Sequence, residues 1–239
     1  MADPHSNFRP ALLVVDMQED FCPQSGSLAV PFGRTITPLI SSLLALPTFT
    51  LKVATQDWHP TTHISFASNH PSPPKRPFVD SHTITNPLDP SQSYTTLLWP
   101  DHCIQDTPGA ALIPELASSH FDYIIKKGTD PRVEMYSAFF DPFPPTGKGE
   151  RVCDSGLANL LHEKEVTHVY VVGLAGDFCV KHTAYDAAKE GFQTVIIEEG
   201  TKSVNPDVWD ECKKEMESIG GVRVVGVESE DVQRLFKKE

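Results

Sequence analysis

Six short runs of aliphatic residues, separated by segments of helical periodicity, constrain the fold of this chain most strongly. They are rich in Val, Ile and Leu and occupy residues 11–15, 50–55, 123–125, 168–172, 194–197 and 222–227. Between the later runs, apolar side chains recur three or four positions apart in residues 157–164, 180–189 and 208–218, as in packed helices. This alternation predicts an α/β fold of Rossmann-like topology, with about six mainly parallel strands and helices on both faces of the sheet.

One segment interrupts this alternation. Residues 61–100 are dense in Pro, Ser, Thr, His and Asn, and they include a Pro73-Pro74 pair. This composition predicts a long insertion without a strand–helix unit, which suits a functional lid and a solvated surface loop equally well. The chain of 239 residues is long enough for one core, so we expect a single domain over residues 1–239 that contains this insertion.

Charge and cysteine content exclude several classes of function. The formal net charge of -12 and the lack of any Lys- and Arg-rich run argue against nucleic acid or an anionic membrane as partner. No apolar run approaches the roughly 20 residues of a membrane-spanning helix. The five cysteines are odd in number and widely spread, so at least one thiol stays free, as suits a reducing compartment. We therefore expect a cytoplasmic protein, and a homo-oligomer is left open.

Polar residues follow four of the predicted strands at the point where each strand ends. Asp16 closes the first run, and Asp57 and His59 follow the second. Lys127 follows the third run, and Cys179 lies shortly after the fourth. Because ligands bind beyond the carboxyl ends of strands in open parallel sheets, we expect these groups to converge on one site.

Cys179 has the features of an activated nucleophile. Glycines at 173 and 176 permit a tight turn that places Cys179 at or near the first residue of a helix, where backbone N–H groups favour a thiolate and can stabilise an oxyanion. At a strand end, Asp16 is partly desolvated and can accept the thiol proton, while Lys127 would keep Asp16 ionised. A buried apolar cysteine, a turn aspartate and a solvated lysine remain the alternatives.

A carboxylate and two imidazoles form a candidate metal site. Asp57 and His59 are two residues apart, which places both on one side of an extended segment, and His102 can complete the set. Three protein ligands leave coordination positions open, as in sites of zinc, iron or manganese that bind a ligand or catalyse a reaction. Solvated loop histidines are the alternative.

These stretches together resemble the isochorismatase-like cysteine hydrolases and, among them, the nicotinamidases. They occur in the family's order along nearly the whole chain, and the long insertion is similar to that of fungal members. Gly176 and Phe178 depart from the family, in which a bulkier residue and a tyrosine are more common. The stretches are Leu13-Val-Val-Asp16-Met-Gln18-Glu-Asp-Phe21, Gln56-Asp57-Trp-His59-Pro, Trp99-Pro-Asp-His102-Cys, Lys127-Gly128, Tyr136-Ser-Ala-Phe139 and Gly173-Leu-Ala-Gly-Asp-Phe-Cys179-Val.

The resemblance implies a specific reaction and a set of roles. The reaction is hydrolysis of nicotinamide, and of analogues such as pyrazinamide, to the acid and ammonia through a cysteine thioester, as a step of NAD salvage. A divalent metal, first of all zinc, with iron or manganese as alternatives, would bind the pyridine nitrogen. The implied residues are the triad Asp16, Lys127 and Cys179, the metal ligands Asp57, His59 and His102, the oxyanion-hole N–H groups of Ala175 and Cys179 with a cis peptide before Ala175, and the ring pocket Phe21, Trp99 and Tyr136.

Three other functions compete with this one. An amidohydrolase of the same fold that acts on a ureido or carbamoyl compound would use the same triad, but such relatives generally lack the Asp57, His59 and His102 set. A non-catalytic protein that binds a metal or ligand is the second, since fold does not imply function. The third is a redox sensor at Cys179, for which no resolving cysteine lies near in sequence.

Overall fold

The structure is a computed structural model that describes residues 8–116 and 120–237. Within this range it has eight strands and five α-helices. The helices are α1 (Thr37–Leu44), α2 (Leu157–Glu163), α3 (Lys181–Lys189), α4 (Trp209–Ile219) and α5 (Glu230–Gln233). The strands are β1 (Pro10–Val15), β2 (Leu51–Asp57), β3 (Ser81–Thr85), β4 (Ser93–Leu97), β5 (Tyr123–Lys127), β6 (His168–Leu174), β7 (Gln193–Lys202) and β8 (Val222–Val225).

Six strands form one parallel sheet in the order β5-β2-β1-β6-β7-β8. The predicted fold class is thus confirmed. The first strand is central, because Ala11 pairs with Leu51 of β2 on one side and with Val169 of β6 on the other. A strand between two neighbours and two helical layers has no solvated face, which explains why β1 consists of apolar residues without alternation.

Each face of the sheet has its own core. Leu12 and Val14 of β1 belong to the cluster that includes residues of α1 and α5, whereas Leu13 and Val15 belong to the cluster that includes residues of α2, α3 and α4. Successive side chains of a strand point to opposite faces, so this division follows from the pleat. The prediction of helices on both faces is confirmed. No helix in the described ranges is long and apolar enough to cross a membrane.

The winding of the chain reverses beside β1. The chain runs outward from β1 to β2 and β5, then returns to place β6 on the other side of β1. At such a switch point the loops after neighbouring strands diverge, and a crevice opens beyond the carboxyl ends of the strands. The loops that follow β1, β2, β5 and β6 therefore surround one crevice.

The insertion at residues 61–100 contains more regular structure than the sequence predicted. It includes an antiparallel hairpin of β3 and β4 and a short 3-10 helix at Ala67–Asn69. In the hairpin only Ile84 and Thr96 are buried, so its sequence has no alternation of apolar and polar residues that would predict two strands. Helices α1 and α5 were not predicted either, and α5 has only four residues.

Candidate active site

Cys179 lies between β6 and α3 on a single π-helical turn, Gly176–Val180, which leads directly into α3. This agrees with its expected place near a helix start. The turn begins where β6 approaches β1 closely, since a Cβ at Gly173 would collide with the Val15 carbonyl oxygen and Gly173 has φ +116°. The Leu174–Ala175 peptide is cis, as the family resemblance implied.

The three predicted triad residues are brought together in a buried cluster. The Lys127 ammonium lies 3.0 Å from Asp16 Oδ2 and 3.4 Å from Cys179 Sγ. All three side chains are nearly inaccessible to solvent. A carboxylate, an ammonium and a thiol in mutual contact can exchange a proton without the help of water.

Burial dominates the electrostatics of this cluster. It raises the pKa of Cys179 well above its usual value, and the nearby Lys127 ammonium only partly offsets this effect. Burial also raises the pKa of Asp16, again against the influence of Lys127. The thiolate expected from the helix position is therefore not the favoured resting form. The buried thiol keeps its proton until a neighbouring base accepts it.

Lys127 also makes a contact that the sequence did not indicate. Its ammonium lies 2.5 Å from Asp57 Oδ1, in addition to its contact with Asp16. Burial alone would lower the pKa of Lys127, but the two carboxylates raise it well above its ordinary value. One permanently charged lysine thus connects the thiol cluster to the candidate metal ligands.

Thr55 fixes the orientation of Asp16. The Asp16 N–H donates to Thr55 Oγ1 at 3.1 Å, and the same hydroxyl donates to Asp16 Oδ1 at 2.5 Å. Asp16 has φ +49°, a left-handed conformation that is uncommon for residues other than glycine. The hydroxyl on β2 therefore satisfies the backbone and the carboxylate of a strained residue at once.

The three candidate metal ligands also converge. Asp57 Oδ2 lies 3.6 Å from His59 Nε2 and 3.9 Å from His102 Nε2. His59 Nδ1 contacts the Gly128 carbonyl at 2.8 Å, and His102 Nδ1 contacts the Pro100 carbonyl at 2.7 Å. A carbonyl can only accept, so each Nδ1 carries the hydrogen and each Nε2 offers its lone pair to the common point.

The charges and the unsatisfied atoms of this group suit a divalent cation. His59 Nε2 is buried and finds no hydrogen-bond partner among the described residues. Burial lowers the pKa of His102 to about 4, which keeps its imidazole neutral. Burial opposes ionisation of Asp57, but the Lys127 ammonium holds its pKa far below its usual range. One carboxylate and two imidazoles fit the ligand preferences of zinc and its neighbours.

A small cavity is lined both by Cys179 and by two of the candidate metal ligands, Asp57 and His102. Phe21, Trp99 and Tyr136, the predicted ring contacts, all line it. The Tyr136 hydroxyl accepts from Trp99 Nε1 at 3.0 Å, which holds the indole in place. A planar aromatic molecule in this cavity would face both the nucleophile and the metal ligands. The other lining residues are Leu28, Asp57, His102, Glu134, Ala175, Phe178, Cys179 and Val204.

Comparison with known proteins identifies the family. The isochorismatase domain matches residues 10–229, nearly the whole chain. The chain belongs to the isochorismatase family. This isochorismatase-family chain is 42% identical over 195 residues to the nicotinamidase of Acinetobacter baylyi, and the match covers 82% of each chain. The yeast nicotinamidase solved with the inhibitor nicotinaldehyde matches with a TM-score of 0.82 and 32% identity, over 91% of this chain and 99% of the yeast chain.

A further solved structure bears on the metal. The pyrazinamidase of Pyrococcus horikoshii, in complex with zinc, matches this isochorismatase-family chain with a TM-score of 0.67 and 33% identity. The match covers 91% of this chain and 99% of the other. The family and fold predicted from the sequence are thus confirmed.

Two residues of the site in this family member were missed. Thr55 lies in β2, and because threonine is common in strands it gives no signal of a functional role there. Glu134 lines the cavity, and its Oε2 atom is buried without a hydrogen-bond partner in the described part of the chain. Burial raises the pKa of Glu134. It lies outside every predicted strand end, so the argument that found the other polar residues did not reach it.

Proposed function

We propose that this chain hydrolyses nicotinamide to nicotinate and ammonia through a thioester on Cys179, as a step of NAD salvage. One observation carries the proposal: Cys179, Asp57 and His102 face the same cavity, whose walls are aromatic. A thiol and a metal-binding group that line the same aromatic cavity suit a ring that carries both a carboxamide and a ring nitrogen. The nicotinamidases named above, more than 30% identical over most of both chains, support the same substrate.

Asp16 and Lys127 serve the proton transfers. Asp16 accepts the proton of Cys179 as the sulfur attacks the carboxamide carbon, and Lys127 stabilises the charge on both groups. The backbone N–H groups of Ala175 and Cys179 donate to the oxygen of the tetrahedral intermediate. Its collapse breaks the C–N bond, and Asp16 returns the proton to the departing nitrogen, which leaves as ammonia. A water molecule then hydrolyses the thioester, with Asp16 as its base.

Asp57, His59 and His102 hold the metal in this proposal. Zinc is the ion we propose, because the ligand set suits it and a related pyrazinamidase was solved with zinc. When bound, the metal supplies a Lewis acid for the ring nitrogen of the substrate. Phe21 and Trp99, which line the cavity, contact the ring in this proposal, so that the carboxamide is held against Cys179 and water is kept from the ring.

The test is a direct assay of the purified protein. It is incubated with nicotinamide, and ammonia and nicotinate are measured before and after removal of metal by a chelator. We expect release of both products, loss of activity on chelation and recovery with zinc, and no release by the Cys179→Ala variant. Failure of the folded, zinc-loaded protein to release ammonia would overturn the proposal, and activity on ureido or carbamoyl compounds would then support the competing amidohydrolase.

A further inference from the structure

The side chain of Gln18 continues the sheet at a point that β1 does not reach. Pairing of β1 with β2 runs from Ala11 opposite Leu51 to Val14 opposite Ala54, and Asp57 lies three residues further on. There the Gln18 side-chain amide pairs with the backbone of Asp57 in place of a neighbouring strand. Its Oε1 accepts from the Asp57 N–H at 2.8 Å, and its Nε2 donates to the Asp57 carbonyl at 2.8 Å. Gln18 is completely buried, and its Nε2 also donates to Ala110 O at 2.9 Å.

Asp20, two residues later, makes an equivalent contact beside His102. Its Oδ2 accepts from the N–H of Cys103 at 2.7 Å, and Cys103 directly follows His102. Cys103 has φ +46°, so its backbone is in a conformation that costs free energy unless neighbours stabilise it. The carboxylate packs tightly against Gly109, where any Cβ would collide with it.

Neither side chain is itself a candidate metal ligand or a lining residue of the cavity. Gln18 contacts the backbone of Asp57, and Asp20 contacts the backbone that follows His102. Both belong to the short segment after Asp16. We propose that Gln18 and Asp20 are positioning residues, which hold the Asp57 and His102 backbones so that their side chains meet at one metal ion.

This inference rests on the proposed metal site. A protein in which one ligand side chain is displaced by a fraction of an ångström still folds. It binds the ion less well, because coordination requires all donor atoms to reach one point. Loss of such an outer contact typically weakens metal binding about 10- to 100-fold. A merely structural role would lower the thermal stability and leave the zinc affinity of the folded protein unchanged.

The test measures zinc affinity by competition with a chromophoric chelator, on protein verified as folded by circular dichroism. Gln18→Leu removes both contacts with Asp57 at nearly constant volume, and we expect about 10- to 100-fold weaker zinc binding. Gln56→Leu is the matched control, since Gln56 donates to the same Ala110 carbonyl at 2.9 Å. It should retain the wild-type affinity. If Gln18→Leu does not fold, Gln18→Glu, which keeps the acceptor and loses the donor, replaces it.

Asp20 is tested in parallel. Asp20→Ala should weaken zinc binding by a similar factor, and Asp20→Asn, which keeps an acceptor oxygen, should restore most of the affinity. In an Asp57→Asn background, Gln18→Leu should cause little further loss, because both changes act through the same ligand.

The outcomes separate this inference from the proposed metal site. If wild-type protein binds zinc no better than Asp57→Asn, the metal site itself is wrong. If wild type binds zinc tightly, and Gln18→Leu and Asp20→Ala bind it equally tightly at reduced thermal stability, the positioning role is overturned.

Discussion

Replacing Thr55 with valine removes one hydroxyl from the interior of β2 without opening a cavity, since the two side chains have nearly the same shape. The Asp16 N–H then loses its acceptor, which costs about 1–3 kcal/mol in a buried position. The Asp16 carboxylate also loses a donor, and a hydrogen bond to a charged group contributes about 1.5–3 kcal/mol. Because both contacts share one hydroxyl, we expect a total loss of about 3 kcal/mol in unfolding free energy.

Function should suffer with stability. Burial raises the pKa of Asp16, and the Thr55 hydrogen bond opposes that rise. Without the hydroxyl the pKa of Asp16 rises further, so a higher pH is needed to ionise the base. The acid limb of kcat/KM against pH should therefore shift to higher pH in Thr55→Val.

Urea unfolding and the pH profile of ammonia release check these two expectations. Thr55→Ser is the control, because it keeps the hydroxyl and loses only a methyl group, worth about 1 kcal/mol. For a chain of this size, a loss of 3 kcal/mol in unfolding free energy also corresponds to a fall of about 6–12 °C in the midpoint of thermal unfolding. If Thr55→Val unfolds like Thr55→Ser and shows the same acid limb, the hydroxyl does not orient Asp16 and the reasoning is wrong.

Three further predictions concern single side chains. Cys179→Ala should fold normally and lose at least about 10⁴-fold in turnover, with no acyl adduct in intact-mass spectra; residual turnover near wild type would refute a covalent route. Lys127→Met leaves Asp16 without its cation, so the free energy of unfolding measured in urea should fall by about 3–5 kcal/mol and the acylation burst should become slower. An unchanged burst would remove Lys127 from the mechanism. Burial lowers the pKa of His182 from 6.5 to about 4. Below pH 6.5 the unfolded chain therefore binds a proton that the folded chain does not. The free energy of unfolding should fall as the pH decreases to about 4, by at most about 1.4 kcal/mol per pH unit. His182→Gln should lack this part of the loss, and equal pH slopes in both proteins would contradict it.

The strands that are buried on both faces gave the clearest pattern in the sequence. Strand β1 consists of apolar residues throughout, and β6 does so after His168 at its start, and this pattern is independent of tertiary detail. Strand β7 is longer than predicted because its second half, up to Lys202, includes Glu198 and Glu199 and follows an irregularity in its pairing with β6. The hairpin escaped prediction because Thr and Ser, which dominate it, are common in both strands and loops.

The residues of the site that could be predicted are those whose reactive or metal-binding side chains lie at the ends of strands. Asp16, Asp57 and Lys127 directly end β1, β2 and β5 or follow them, so the parallel sheet alone brings them to one edge. Contacts that depend on register were not accessible. Thr55 and Gln18 act on residues 39 positions away in the chain, and only the pairing of β1 with β2 reveals which backbone each reaches.

The central position of β1 determines when the site can form during synthesis. Its neighbour on one side is β2, which follows within 40 residues, but its neighbour on the other side begins only at His168. Until that segment leaves the ribosome, the half-sheet of β5, β2 and β1 has an unpaired edge at β1, where other strands can bind. Cys179 arrives with the strand that covers this edge. The acid–base pair Asp16 and Lys127 can therefore be assembled early, but the nucleophile joins them only when β6 pairs with β1.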